Sequence, residues 1–432
     1  MRAAKIRRVD SPAPLTASDW DRALRGQDEA FRSRLGRETA ELAASNPAWA
    51  SRDALAFLAG GAKSLPEALL RHPSLHGWLF AAVRAGPEPS PAELEILSQA
   101  GAFAASLARL LGRKLEVCVP LDRRGHLHLY GTRSYLDFGR RRAGDRITLT
   151  VHSKGFAVRG AGRLPLKNHP VLGLGTEVSD CDPVLIFPLG EGRGDYDHAL
   201  AELSPREMAR FVSTLREGFS RAEEADPEMG RSLFNAVGAL VPLARKDPQR
   251  HVSSTFSHLR GAVFLCHDDN PLLQAETLVH EASHNQLHTL QELGPLFESG
   301  DKDQIYYSPW RTDPRALPGI LLGAHAFLAV ARLMSAAAAK TPGAERRREL
   351  LENSAHRCLQ VETALLAVRR HARLTELGHR LLAGLYQELS WVLKTLPPRP
   401  GGIWGAAAEA ADPHRLRHMK LGTCLHKEAK KA

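Results

Sequence analysis

At 432 residues, 43% of them apolar and 25% charged, the chain is long enough for two or three substructures with their own cores and has the make-up of an ordinary globular protein. Lys and Arg outnumber Asp and Glu by 58 to 48, a net charge of +10, but the basic residues are dispersed, with local excess only at Arg140–Arg142 and across 414–431. No basic stripe interleaved with aromatics is present, which argues against a nucleic-acid partner and leaves the charge as solvated surface.

The first residues, MRAAKIRRVDSPAP, are basic but are followed by no apolar run, so no signal peptide is expected. Residues 1–113 read as a helical region, with helical periodicity at 28–44, 65–84 and 91–111 and breaks at Gly60-Gly61 and between Pro87 and Pro91. Residues 114–190 read as β-rich: 115–119, 126–130 and 146–152 are short, alternating and punctuated by Gly, and the apolar run PVLIFP closes the region. Helices return in 191–396. Ser204-Pro205-Arg206-Glu207 reads as a capping box with Pro at the first position, and Met208, Phe211, Val212, Leu215 and Phe219 mark one apolar face. A helix is expected from Asp226-Pro227 to about 244, one or two strands over 252–266, and long helices over 317–339, 345–373 and 375–396. PPRPGG then opens a linker and basic tail over 397–432, and no internal repeat is found.

The fold class expected is α+β, predominantly α-helical, with a small mixed or antiparallel sheet beside one metal-binding helix. The most apolar helix, 317–339, carries His325 and Arg332 and is flanked by prolines, so it reads as a buried helix and not a membrane span. The five cysteines are scattered, odd in number and without C-x-x-C spacing, which argues against a disulfide framework or a zinc ribbon and fits a reducing cytoplasm.

The chemistry is concentrated in TLVHEASHNQLH, where His280, Glu281 and His284 form H-E-x-x-H. Two histidines four apart on a helix lie one turn apart on one face, so both imidazoles can reach one ion. Asn270 suits the N-cap, Pro271 the first helical position and Gly294-Pro295 the stop, while Leu273, Leu278, Val279, Leu287 and Leu290 offer apolar surface. His288 continues the spacing, but eight residues of helix rise about 12 Å, so 280, 284 and 288 cannot share an ion. A metzincin needs Gly at 287 and His at 290, and both are Leu here. A gluzincin needs a Glu on a following helix, and there is none between Glu298 and Glu345. His325, the one good ligand on the apolar surface of the next helix, becomes the leading third ligand. The H-x-D at His267–Asp269 reads as a turn and helix cap. His126 and His128 alternate on one strand face and could bind a metal, but read rather as decoration of an exposed hairpin.

Three blocks, SSTFSHLRGAVFLCHDDNPLLQAETLVHEASHNQLH (253–288), YYSPWRTDPRALPG (306–319) and GAHAFLAVARL (323–333), resemble the H-E-x-x-H peptide-modification proteins associated with ribosomal peptide natural-product clusters. The likeness continues weakly through LTELG at 374–378 and is only architectural upstream. It implies iron(II)- and 2-oxoglutarate-dependent β-hydroxylation of a side chain in a ribosomally synthesised precursor peptide. It also implies an all-histidine iron site of His280, His284 and His325, leaving positions for the bidentate keto acid and oxygen. Arg311 or Arg315 would clamp the distal carboxylate of the cosubstrate. Ser253, Ser254 and Thr255 would offer hydroxyls on a strand facing the metal. Glu281 is the ambiguous residue: general base in a zinc peptidase, orienting or substrate-contacting group in an oxygenase. A zinc metallopeptidase and a non-catalytic peptide-binding protein stay open as alternatives, as does the oligomeric state.

Overall fold

The computed structural model describes residues 13–410 apart from 16, 46, 87, 154, 159–165, 173–174, 191–198, 246, 248–250, 299–303 and 400–401. The N-terminal dozen and residues 411–432 lie outside the described residues, whereas 402–410, within the stretch read as linker and tail, are helical with Trp404 and Ala407 buried. With 59% helix and sheets of two to four strands, the protein is α+β and predominantly helical. It divides into two compact units. One comprises Arg25–Phe219 and Ser232–Asn285, and the other the described parts of Met1–Leu24, Ser220–Arg231 and Gln286–Ala432.

The first unit carries the sheets. Its N-terminal helices (Arg52–Gly61, Pro73–Arg84 and Ala100–Leu110 among them) enclose Leu55, Leu58, Trp78 and Phe103, each fully buried. The helix Pro91–Leu97 opens on a reciprocal Ser90–Glu93 capping box. Gly101 lets the Ala100–Leu110 helix cross the first strand closely: a Cβ there would lie 2.2 Å from the carbonyl oxygen of Cys118. Two antiparallel three-stranded sheets follow, one from Leu115–Pro120, Arg146–His152 and Gly155–Val158, the other from His126–Leu129, Ser134–Asp137 and Leu166–Asn168. Alternation along Arg146–His152 buries Ile147, Leu149 and Val151 on one face.

A four-stranded mixed sheet positions the motif. Its order is Glu177–Val178, Ala239–Leu243, Ala262–Cys266, Ser253–Ser254, with the last strand antiparallel to its neighbour. The two middle strands are buried along their whole length. That corrects one expectation: the helix begun at Asp226-Pro227 ends at Phe234, and 239–243 is a strand. A strand buried on both faces loses the two-residue alternation that would reveal it. PVLIFP is likewise a helix, Pro183–Gly190, capped by Asp182, whose Oδ1 accepts the Val184 amide at 2.9 Å.

The second unit is a helical core. Leu317–Lys340, Ala344–His371 and Glu376–Thr395 pack around Ile320, Leu328, Val361, Leu365, Leu385 and Val392. Leu287 and Leu290, on the last turns of the motif helix, join the same cluster as Leu317 and Leu321. Leu317–Lys340 is long and apolar enough to cross a bilayer, yet 67% of its most apolar window is buried in this core. The third helix starts on the Thr375 hydroxyl, which accepts the Gly378 amide at 3.1 Å.

Candidate metal centre

The motif helix runs Pro271–Gln291. The sequence starts it twice over: Asn270 Oδ1 accepts the Leu272 amide at 3.0 Å, and Asp268 Oδ1 accepts the Asn270 amide at 2.8 Å. Arg245 holds this turn through Asp268 at 2.9 Å and the His267 carbonyl at 2.8 Å. His267 and Asp269 face one another at 2.8 Å, so the H-x-D is the turn and cap that its position suggested. Of the apolar positions proposed to bury the helix, Leu278, Val279, Leu287 and Leu290 do so, whereas Leu273 is exposed. Asn285 fastens the helix to the sheet, accepting from the Gly261 amide and donating to the Ala262 carbonyl, each at 3.3 Å.

His280 and His284 are half-buried, with ring centroids 4.6 Å apart and planes at 82°. Two imidazoles one turn apart, edge to face, form the pair that the spacing called for. Glu281 is 3% exposed, and its Oε1 accepts from the Ser253 hydroxyl at 2.7 Å, on the edge strand of the mixed sheet. Burial pushes its carboxyl up to about 7, against the pull of the Ser253 and Thr255 hydroxyls. Ser254 and Thr255 are half-buried, and the Ser254 hydroxyl is buried with no hydrogen-bond partner among the described residues. Helix and strand therefore bring together His280, Glu281, His284 and Ser253 in the first unit.

The remaining site residues belong to the second unit. His325 is half-buried on Leu317–Lys340 and lines a cavity of about 450 Å³ with Trp20, Arg332, Glu388 and Trp391. Arg311 and Arg315 both grip Asp313, at 3.1 and 2.7 Å, and together hold its carboxyl below the usual range. Arg315 lies in a two-residue strand paired with Ile305–Tyr306. His288 is also half-buried, and burial lowers its imidazole to about 4.

One expectation fails outright. His128 does not decorate an exposed hairpin: it is 4% exposed and makes a 2.9 Å contact with Asp122. Among the described residues, Asp122, His128 and Cys181 are the group of three whose ligand atoms all lie within 4.8 Å of one another. Cys181 follows His128 by more than fifty residues, a separation that no local spacing rule detects. No family model matches this chain, and no curated protein does.

Proposed function

We propose that the protein is an iron(II)- and 2-oxoglutarate-dependent oxygenase that hydroxylates a side chain, at the β-carbon, of a ribosomally synthesised precursor peptide. The observation that carries this reading is the paired His280 and His284 with Glu281 turned into a 2.7 Å hydrogen bond with Ser253. Two imidazoles on one helical face fit a divalent iron, and His325 is the third ligand the sequence offers. When bound, iron with the keto acid supplies oxidising power for breaking a C–H bond. His280 and His284 orient it through rings fixed by a helix that Asn285 locks to the sheet. Ser253 holds the buried Glu281 side chain in place without requiring it as a base. Arg311 and Arg315, which each meet Asp313 through Nε, are the cations that would take the distal carboxylate of 2-oxoglutarate in its place.

A second reading, zinc peptidase, draws on the Glu281 carboxyl lying between the two histidines in sequence on the same helix. A Glu281→Gln variant separates the two. Under the oxygenase reading it retains 2-oxoglutarate turnover within about tenfold, because no step takes a proton from water at that residue. Peptide cleavage by the unaltered chain, abolished in Glu281→Gln with zinc still bound, would move the assignment to hydrolysis.

A further inference from the structure

The sheet-bearing unit holds a second convergence of ligand atoms that the motif does not use. It lies where the turn after strand Leu115–Pro120, strand His126–Leu129 and the segment before Pro183 meet. Asp122 is 2% exposed, and His128 and Cys181 are each 4%. His128 Nε2 is 2.9 Å from Asp122 Oδ2. His126 brings a fourth donor, its Nδ1 3.7 Å from both Asp122 Oδ2 and Cys181 Sγ. Around a tetrahedral zinc, with bonds of about 2.0 Å to N and O and about 2.3 Å to S, adjacent ligand atoms stand roughly 3.3–3.6 Å apart. Both His126 separations are already close to that spacing, but His126 stands outside the group formed by Asp122, His128 and Cys181, so its ring has to turn toward His128 to complete a tetrahedron. The His128–Asp122 pair needs to open by about half an ångström.

The groups behind these donors aim them. Asp122 Oδ1 accepts the backbone amides of Arg124 at 2.7 Å and His126 at 2.8 Å, which leaves Oδ2 facing the cluster. Asp137 Oδ1 stands 3.7 Å from His126 Nε2, a carboxylate behind the ring of the kind that fixes a metal-binding imidazole. Arg124 clamps Asp180, next to Cys181, with two contacts of 3.0 and 2.7 Å. A Cys-His-Asp nucleophile is the competing chemistry, and it needs an accessible, acidic thiol. Here Cys181 is 4% exposed, enclosed away from any substrate.

We propose that Asp122, His126, His128 and Cys181 form a closed four-ligand zinc site that ties the hairpin sheet to the start of the Pro183–Gly190 helix. Zinc binding there releases the Cys181 thiol proton to solvent, leaving a thiolate and neutral imidazoles on the metal. Four protein ligands leave no open coordination position, so the site is structural. The mixed thiolate and imidazole donors select zinc over calcium or magnesium.

The test uses the full-length His280→Ala, His284→Ala double variant, which removes the motif pair. Produced with zinc and dialysed, it is expected to retain one zinc per chain. Its cobalt-substituted form is expected to show near-ultraviolet thiolate-to-cobalt absorption that is lost when Cys181→Ser is added and kept with Cys266→Ser. His126→Asn, at the least buried edge of the cluster, should release zinc to a chelator at least tenfold faster, which gives a readout should Cys181→Ser fail to fold. A folded double variant without zinc, cobalt protein without the thiolate band, or zinc release unchanged by His126→Asn would each overturn the proposal.

Discussion

Gly323 sits in the middle of the Leu317–Lys340 helix, where alanine is intrinsically better than glycine by about 0.5–1 kcal/mol. The structure reverses that preference. A Cβ at 323 would lie 2.4 Å from Cε2 and Cζ2 of Trp310 and 2.5 Å from its Nε1. The indole would have to retreat by about 1 Å to reach ordinary contact distance, and it is not free to do so cheaply. Trp310 packs on Phe327 with ring centroids 5.1 Å apart, and the neighbouring Pro309 carbonyl accepts from Gln360 at 2.8 Å. Overpacking of this kind costs about 1–3 kcal/mol, so Gly323→Ala should destabilise the chain by roughly 1–2 kcal/mol after the helix gain is subtracted. Gly319 in the same helix is the control. Its nearest neighbour to a new Cβ is that of Arg315 at 3.9 Å, so Gly319→Ala should lose nothing. Urea unfolding followed by far-ultraviolet circular dichroism compares the two midpoints. A Gly323→Ala protein as stable as the parent, or more so, would refute the packing assigned to Trp310.

Acid should unfold the sheet-bearing unit through two buried groups acting in the same direction. Burial, with Arg260, His72 and Arg34 adding repulsion, lowers His76 to about 3, so the unfolded chain takes up a proton first and stability falls as pH drops from 6.5 toward 3. Glu177 sits at about 2 because His72, 3.0 Å away, outweighs the effect of burial; its contribution is complete above 4.5 and is lost as pH falls toward 2. Unfolding midpoints measured against pH should flatten in the upper window for His76→Gln and in the lower one for Glu177→Gln, and unchanged slopes would contradict both assignments. Asp226 caps its helix through the Met229 amide at 3.0 Å and also accepts from Arg332 at 2.6 Å. Asp226→Ala should therefore cost about 2 kcal/mol in the same urea assay, more than a cap alone, and a loss below about 0.5 kcal/mol would show that the Arg332 contact is solvent-screened.

What the sequence makes legible is local. The motif helix announces itself through Asn270, Pro271 and the four-residue histidine spacing, and the paired imidazoles follow from helix geometry. The Ser204–Glu207 capping box appears as read, with Glu207 accepting the Ser204 amide at 2.8 Å and Ser204 the Glu207 amide at 3.3 Å. Buried strands were harder. Ala239–Leu243 contains Pro242 and no alternation, features that speak against a central strand. Pro242 is tolerated because the neighbouring Glu177–Val178 strand pairs only as far as Leu240, and the Pro242 carbonyl accepts the Ala201 amide at 3.0 Å instead. Contacts across long separations were not legible at all. Nothing in local pattern joins Ser253 to Glu281, or Asp122 and His128 to Cys181. Arg311 and Arg315 are readable as a cationic pair, but nothing in the sequence singles out Asp313 between them as their shared partner.

Anaerobic titration with iron(II) and 2-oxoglutarate tests the central claim most directly, because it needs no peptide. The account predicts a visible charge-transfer band at one equivalent of iron per motif site, absent in His280→Ala and weakened at least tenfold in keto-acid affinity by Arg311→Ala, Arg315→Ala. Stoichiometric iron on the motif histidines with no band at saturating 2-oxoglutarate would contradict it.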